Sequence, residues 1–362
     1  MKIAICTNFF HPSQGGGETV TQKIAEYYAQ KHEVTVFTRH LLQRKSKTLG
    51  AVNISNYNPT SLPSFLKRIH EFNPDFTLIY SDVFDFFDVA VQQLKNVCVA
   101  FCGGNRLCSK PYTVKLFQRN VGGIRSFVCH TKSERDYRLA SQLNILDRTY
   151  VIPNGVDIEE FDENEMSRKD ILSKETHSRW ILNVSNFFPG KGQIQLIDIL
   201  SRVQTQPFTY VQVCSSLEFA IGRHLEQQWK TRANHLSKNG IDIIFMKDKE
   251  REKVIAAFKN ANVFAFPSQK ESAGLVLLES MAAALPWVSL NVGIAPDISG
   301  GFCIGAAKDQ QYNAIFDERV KDHFAEKIDQ CFSQPKLGED GRKEVEKKYQ
   351  WKTILPLYEG LL

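Results

Sequence analysis

VFAFPSQKESAGLVLLESMAAALP, residues 263–286, runs a strand, a loop and a helix together in one short stretch. Val263–Phe266 is apolar and aromatic, and Pro267 stops it. The pattern predicts a helix from about Gly274 to Ala284. A buried strand feeding straight into a helix is the repeating step of a parallel α/β sheet. Ligands of such sheets bind at the carboxyl ends of strands, beside helix N-termini. The first amides of a helix have no intrahelical partner, so those of Ala273, Gly274 and Leu275 are expected to face an anion. Gly274 allows the backbone a close approach. Glu279 follows Glu271 by eight residues, and a carboxylate there accepts hydrogen bonds from hydroxyl groups. Taken alone, the two glutamates read equally as a helix-start charge and a solvated face residue.

Moving outward, the same alternation fills the chain. KIAICT, HEVTVFT, FTLIY, VCVAF, SFVCH and TYVIP are short strand candidates separated by turns or helical stretches. The last ends at Pro153-Asn154-Gly155. A charged segment from Asp157 to Arg179 reads as an interdomain connection with a short helix. Beyond it WILNVS, FTYVQVCSS, IDIIF, VFAFP and WVSL restart the pattern. Two successive doubly wound units follow from this, with boundaries expected at 1–160 and 161–345, and a final helix at 346–362.

The chain has 362 residues, 43% hydrophobic and 23% charged, as in globular proteins. No apolar run reaches the roughly 18 residues that span a bilayer. MKIAIC is too short for a signal-peptide core, so a cytoplasmic location is expected. The eight cysteines are scattered, and Cys98, Cys102 and Cys108 lack zinc-ligand spacing. No metal is expected. Residues 1–150 hold 19 basic and 11 acidic side chains, against 26 and 29 in the rest. Much of the excess lies in Arg39–Lys47 and Lys110–Arg125. In the second run, basic residues alternate with large apolar ones. Such a face suits an anionic membrane surface or is a solvated helix face. No nucleic-acid motif accompanies it.

The 267–286 stretch resembles the E-x7-E signature of retaining glycosyltransferases, in particular glycosyltransferase family 4. IPNGVD (152–157) is similar to that family's domain junction, and FFPGKGQ (187–193) to its phosphate loop. NVGIAPD (291–297) resembles its G-G-x-P-E segment, with Asp297 for the usual Glu, and YQWKTILPLYEGLL (349–362) its closing helix. The resemblance covers most of the chain, in order. It implies the GT-B fold, two Rossmann-like doubly wound α/β domains facing a central cleft. It implies a nucleotide-diphosphate-sugar donor, a glycan, lipid-linked or small-molecule acceptor, and no cofactor or metal. The leaving phosphate itself would take the acceptor proton.

By this resemblance Lys191 and Glu271 are the catalytic pair. Lys191 would neutralise the pyrophosphate, Glu271 contact the transferred sugar, and Glu279 hold the ribose diol. Asn186, Ser272, Ala273, Gly274 and Leu275 would complete the donor site with Gly16 and Gly17. The last two belong to Gly15-Gly16-Gly17-Glu18, which opens the first helix after the first strand. Glu18, Cys102 and His130 are acceptor-side candidates, although His130, at the end of a strand, reads more readily as a capping or buried histidine. Three departures stand out. Ser185-Asn186 replace the family's Gly-Arg, Cys102 stands at its histidine, and Ala284 replaces a common glycine, which reads as a packing difference. A non-catalytic sugar-nucleotide-binding subunit, an epimerase and a phosphorylase are the competing readings.

Overall fold

The computed structural model describes the chain apart from residues 14, 81–83, 102–117, 134, 173–175, 216–219, 239 and 311–312. It divides into two compact units, Met1–Gly155 with Trp351–Leu362, and Val156–Gln350. The passage between them is tied locally, because the Val156 amide donates to the Tyr349 carbonyl at 2.8 Å. The chain therefore changes unit after Gly155 and Gln350, where the sequence reading puts 160 and 345.

The first unit is built on β1 (Lys2–Cys6), β2 (Glu33–Arg39), β3 (Thr48–Leu49), β4 (Val52–Tyr57), β5 (Phe76–Tyr80), β6 (Val97–Ala100), β7 (Ile124–Cys129) and β8 (Thr149–Val151). Their order across the sheet is β3-β4-β2-β1-β5-β6-β7-β8. Every pair is parallel except β3 with β4. Parallel strands are covered on both faces, which is why β1 and β5 read as unbroken apolar runs rather than alternating ones. The helix Gly16–Ala29 buries Val20, Thr21, Ile24, Ala25 and Tyr28, a stripe at helical spacing. Trp351–Leu362 completes this unit, with the Tyr28 hydroxyl donating to the Tyr358 carbonyl at 2.7 Å. Trp351 packs closely on Gly155, where a Cβ would fall 2.7 Å from its ring.

The second unit carries β9 (Trp180–Val184), β10 (Thr209–Cys214), β11 (Asp242–Lys247), β12 (Val263–Phe266), β13 (Trp287–Leu290) and β14 (Gly301–Ile304). All pair in parallel, in the order β11-β10-β9-β12-β13-β14. The chain winds to one side of β9 and then to the other. That leaves a topological switch point between β9 and β12, where the loops at the carboxyl ends part. Trp180, Leu182, Phe264 and Phe266 pack with Leu277 and Met281 on one face. Tyr210, Trp229 and Phe324 pack on the other.

The charged segment after residue 157 is part of this unit rather than a connection. Phe161 is buried against Phe258, and Arg168 stacks on Trp180 at 4.5 Å. Sparse apolar residues hid this packing from the sequence.

Ala284 is a further correction. The helix here is Leu275–Ala282, shorter than expected. Beyond it the Ala284 amide donates to Met281 and that of Leu285 to Ser280, which is a Schellman closure. Ala284 has φ +52°, the left-handed region that favours glycine. The family's glycine therefore answers a conformational need, not a packing one. Ala284→Gly should raise stability by about 0.5–1 kcal/mol, relief of the left-handed strain exceeding the added chain entropy. A lower denaturation midpoint in urea would contradict it.

Candidate active site

Lys191 and Glu271 belong to different loops, after β9 and after β12, and meet at the switch point of the second unit. The Lys191 ammonium donates to Glu271 Oε1 at 2.5 Å and sits 5.9 Å from the centre of the Phe266 ring. The lysine loop is held by backbone geometry. Gly190 has φ +89° and Gly192 φ +76°, and Gly192 caps the helix Gln193–Leu200. The Gln269 amide donates to the Gly190 carbonyl at 2.7 Å, clamping the two loops together. The buried Ser268 hydroxyl reaches Glu271 Oε1 at 2.7 Å.

Gly274 takes φ +83° as the N-cap of Leu275–Ala282. A Cβ there would meet only side-chain atoms, the nearest at 3.4 Å, so the glycine serves the turn more than a tight contact. Ala273 and Gly274 are buried at this helix start, with Ser272 and Leu275 half-buried on either side. Gly293 presses the 291–297 loop onto the same place. Its Cβ would fall 2.8 Å from the Ala273 carbonyl oxygen and from Glu271 Cβ, and the Ile294 amide donates to Ala273 at 2.9 Å. An anion at the helix start would thus be met by oriented amides and by Lys191 together.

Glu279 is 6% exposed and one helical turn deeper. Arg251, at the start of the helix Arg251–Asn260, donates to its Oε1 at 2.5 Å and also pairs with Glu160 at 3.0 Å. Burial lowers the Arg251 guanidinium, but the carboxylates of Glu279 and Glu160 outweigh this and hold it above the ordinary arginine value. Asn186 is a brace at the position of the absent arginine. Its Oδ1 accepts the Ser215 amide at 2.7 Å, and its carbonyl accepts from Gln193 at 2.8 Å. It adds no charge, so Lys191 is the cation of this loop.

In the first unit, Gly16 and Gly17 form the first turn of the helix Gly16–Ala29 rather than a free loop. Glu18 folds back toward Gly15, where a Cβ would fall 2.3 Å from its Oε2. Burial raises the Glu18 carboxyl above the usual range, partly opposed by a backbone hydrogen bond. The preceding loop is held by Arg44, which donates to the carbonyls of His11 at 2.6 Å and Phe10 at 3.0 Å. Arg44 is 8% exposed, so it does not belong to a lipid-facing or solvated basic run. His130 is buried with both nitrogens engaged, Nδ1 with the Ile152 carbonyl at 2.9 Å and Nε2 with the Tyr80 hydroxyl at 3.2 Å. Desolvation keeps its pKa below the usual histidine value. As placed, it has no nitrogen to offer an acceptor. Cys102 lies outside the described residues, as do Lys110 and Lys115 of the second basic run. Arg119 and Arg125 of that run are exposed.

Residues 165–348 match the family described as glycosyl transferases group 1. The chain belongs to the group 1 glycosyltransferases. Two curated relatives, both uncharacterized glycosyltransferases of Methanocaldococcus jannaschii, match it. One is 26% identical over 59% of this chain and 52% of its own length, so the chain spans about half of that relative. The other is 23% identical over 98% of this chain and 96% of its own length. Among solved structures, Anabaena HepE in complex with UDP and glucose superposes with a TM-score of 0.78 at 15% identity, covering 99% of this chain and 98% of that one. This group 1 glycosyltransferase thus has two Rossmann-like α/β units of GT-B type. Among the described residues no helix is long and apolar enough to cross a membrane, and no cluster of three potential metal ligands occurs.

Ser268 and Arg251 escaped the sequence reading, and Gly293 entered it only as part of NVGIAPD. Ser268 lay inside the quoted stretch, but a serine after a proline is ordinary there. Arg251 precedes Glu279 by 28 residues, and only the sheet order brings them together. If Glu279 holds a ribose, Glu279→Ala should weaken nucleoside-diphosphate binding by about 1.5–3 kcal/mol. Arg251 keeps Glu160 and stays 44% exposed, so folding should change little. Calorimetry showing native affinity would remove Glu279 from the site.

Proposed function

We propose that this glycosyltransferase moves a hexosyl group from a nucleoside-diphosphate sugar to a glycan or lipid-linked acceptor, retaining the anomeric configuration. The observation that carries the reading is the meeting of Lys191 and Glu271 at the start of the helix Leu275–Ala282. A cation and helix amides suit a diphosphate. Glu271, half-buried beside them, suits the hydroxyls of the sugar attached to it, and Glu279 those of the ribose. As the bond from the anomeric carbon to the phosphate oxygen breaks, negative charge grows on the diphosphate. Lys191 and the amides then bind more tightly than in the ground state, which is the condition for catalysis. The acceptor oxygen bonds to the same carbon from the same face and passes its proton to the departing phosphate oxygen. No protein base is required.

The test begins with thermal-shift screening of nucleoside-diphosphate hexoses, since a ligand that binds only the folded state raises its melting point. The donor found is then incubated with candidate acceptors, and the product's anomeric coupling is read by proton NMR. An inverted product would overturn the retaining assignment. Conversion of the donor with no acceptor present would favour an epimerase.

A further inference from the structure

Ser268 and Lys191 converge on a single oxygen, Oε1 of Glu271, at 2.7 and 2.5 Å. The serine oxygen also lies 3.0 Å from the Lys270 carbonyl and 3.3 Å from that of Gly190. A hydroxyl has one proton, and the ionised acceptor at the shortest distance takes it. Glu271 is therefore anchored from below by a fully buried hydroxyl, whatever Lys191 does. The lysine is the more exposed partner, its side chain 30% exposed against 11% for Glu271, and it lacks the second anchor that Ser268 gives the carboxylate.

We propose that Glu271 competes with a bound diphosphate for Lys191 and so makes the site favour the intact sugar nucleotide over the bare nucleoside diphosphate. The inference rests on the donor reading above. With no ligand, the ammonium is neutralised by Glu271. An arriving diphosphate must draw it away and leave a fixed carboxylate beside its own negative charge, which is unfavourable in a half-buried site. An intact donor removes that penalty, because sugar hydroxyls donate to Glu271 in the lysine's place. After transfer the sugar leaves. Glu271 then loses those donors, reclaims Lys191 and loosens the diphosphate. The same carboxylate thus serves donor recognition before the reaction and product release after it.

The test is calorimetric titration of UDP, ADP, GDP, CDP and dTDP into the native chain, Glu271→Gln, Glu271→Ala, Lys191→Ala and the Lys191→Ala/Glu271→Gln double variant. A melting curve accompanies each variant. The diphosphate bound by the native chain should bind Glu271→Gln about threefold to fivefold more tightly, the range of a partly exposed ion pair. Glu271→Ala should shift in the same direction and stands in if the glutamine variant does not fold. In the Lys191→Ala background the gain from the glutamine substitution should shrink, because only the direct repulsion between carboxylate and diphosphate is left to relieve. Equal or weaker binding by both Glu271 variants overturns the proposal, as does a gain that is undiminished without Lys191. The donor reading fails differently, with no diphosphate bound by the native chain.

Discussion

Lys191→Ala should lower turnover by about a hundredfold to a thousandfold while the protein stays folded. The size is that of removing one preorganised donor from a developing anion. Two features push the effect to this scale. Asn186 brings no charge to the arginine position, and the helix amides at Gly274 are fixed and cannot move to replace the ammonium. Stability should hardly move, because the pair with Glu271 is partly exposed and such pairs contribute roughly 0–1 kcal/mol. The loss should fall more on the single-turnover rate than on donor affinity, since the charge that Lys191 meets is largest in the transition state. Lys191→Arg should recover only part of the rate, its planar fork being a different shape from an ammonium. Equal losses in rate and affinity would mean that Lys191 only binds.

Gly192→Ala should be the most damaging small substitution in the same loop. Its φ of +76° is strained for any side chain, and the new Cβ would lie 2.0 Å from the Pro267 carbonyl oxygen. Backbone cannot swing aside as a side-chain tip can, so the 189–192 turn must shift bodily. Left-handed strain and overpacking together suggest a loss of about 2–4 kcal/mol. For a unit of this size that is a drop in melting temperature of about 5–15 °C. Turnover should fall about a hundredfold in the protein that remains folded, through displacement of Lys191. Gly190→Ala is the control. It has a similar φ of +89°, but the atoms nearest its Cβ belong to the flexible Lys270 side chain, the first at 2.9 Å. It should cost less stability. Equal stability of the two variants would show that the Pro267 contact does not constrain the loop.

What was legible in the sequence was whatever local pattern encodes. Apolar strands of parallel sheets announce themselves as unbroken runs, and the Glu271 and Glu279 spacing sits within one loop and one helix. Lys191 was singled out by the resemblance of FFPGKGQ to a phosphate loop, since Pro-Gly-Lys-Gly alone is an ordinary turn. The pairing of Lys191 with Glu271 was not legible, because the two are 80 residues apart and sheet order alone joins them. The place of Arg44 was hidden for a related reason. Inside a run of basic residues it looks solvated, yet loop carbonyls enclose it. His130 shows the opposite limit. A histidine at a strand end reads as a buried or capping residue or as an acceptor-side one, and only its burial and its two partners decide between them.

The return of Trp351–Leu362 to the first unit has a consequence for biosynthesis. Translation runs at about 5–20 residues per second. The sheet of the first unit is therefore complete while all of Val156–Gln350 remains to be made, a wait of about 10–40 s, before Trp351 and Tyr358 emerge. Domains of this kind fold in far less time than that. Until then Tyr28 and Gly155 lack the partners that the returning segment supplies. The second unit has no such wait, for every strand and helix it needs is in place when Gln350 is added. The order of maturation thus runs against the order of synthesis, and the half made first is the half finished last.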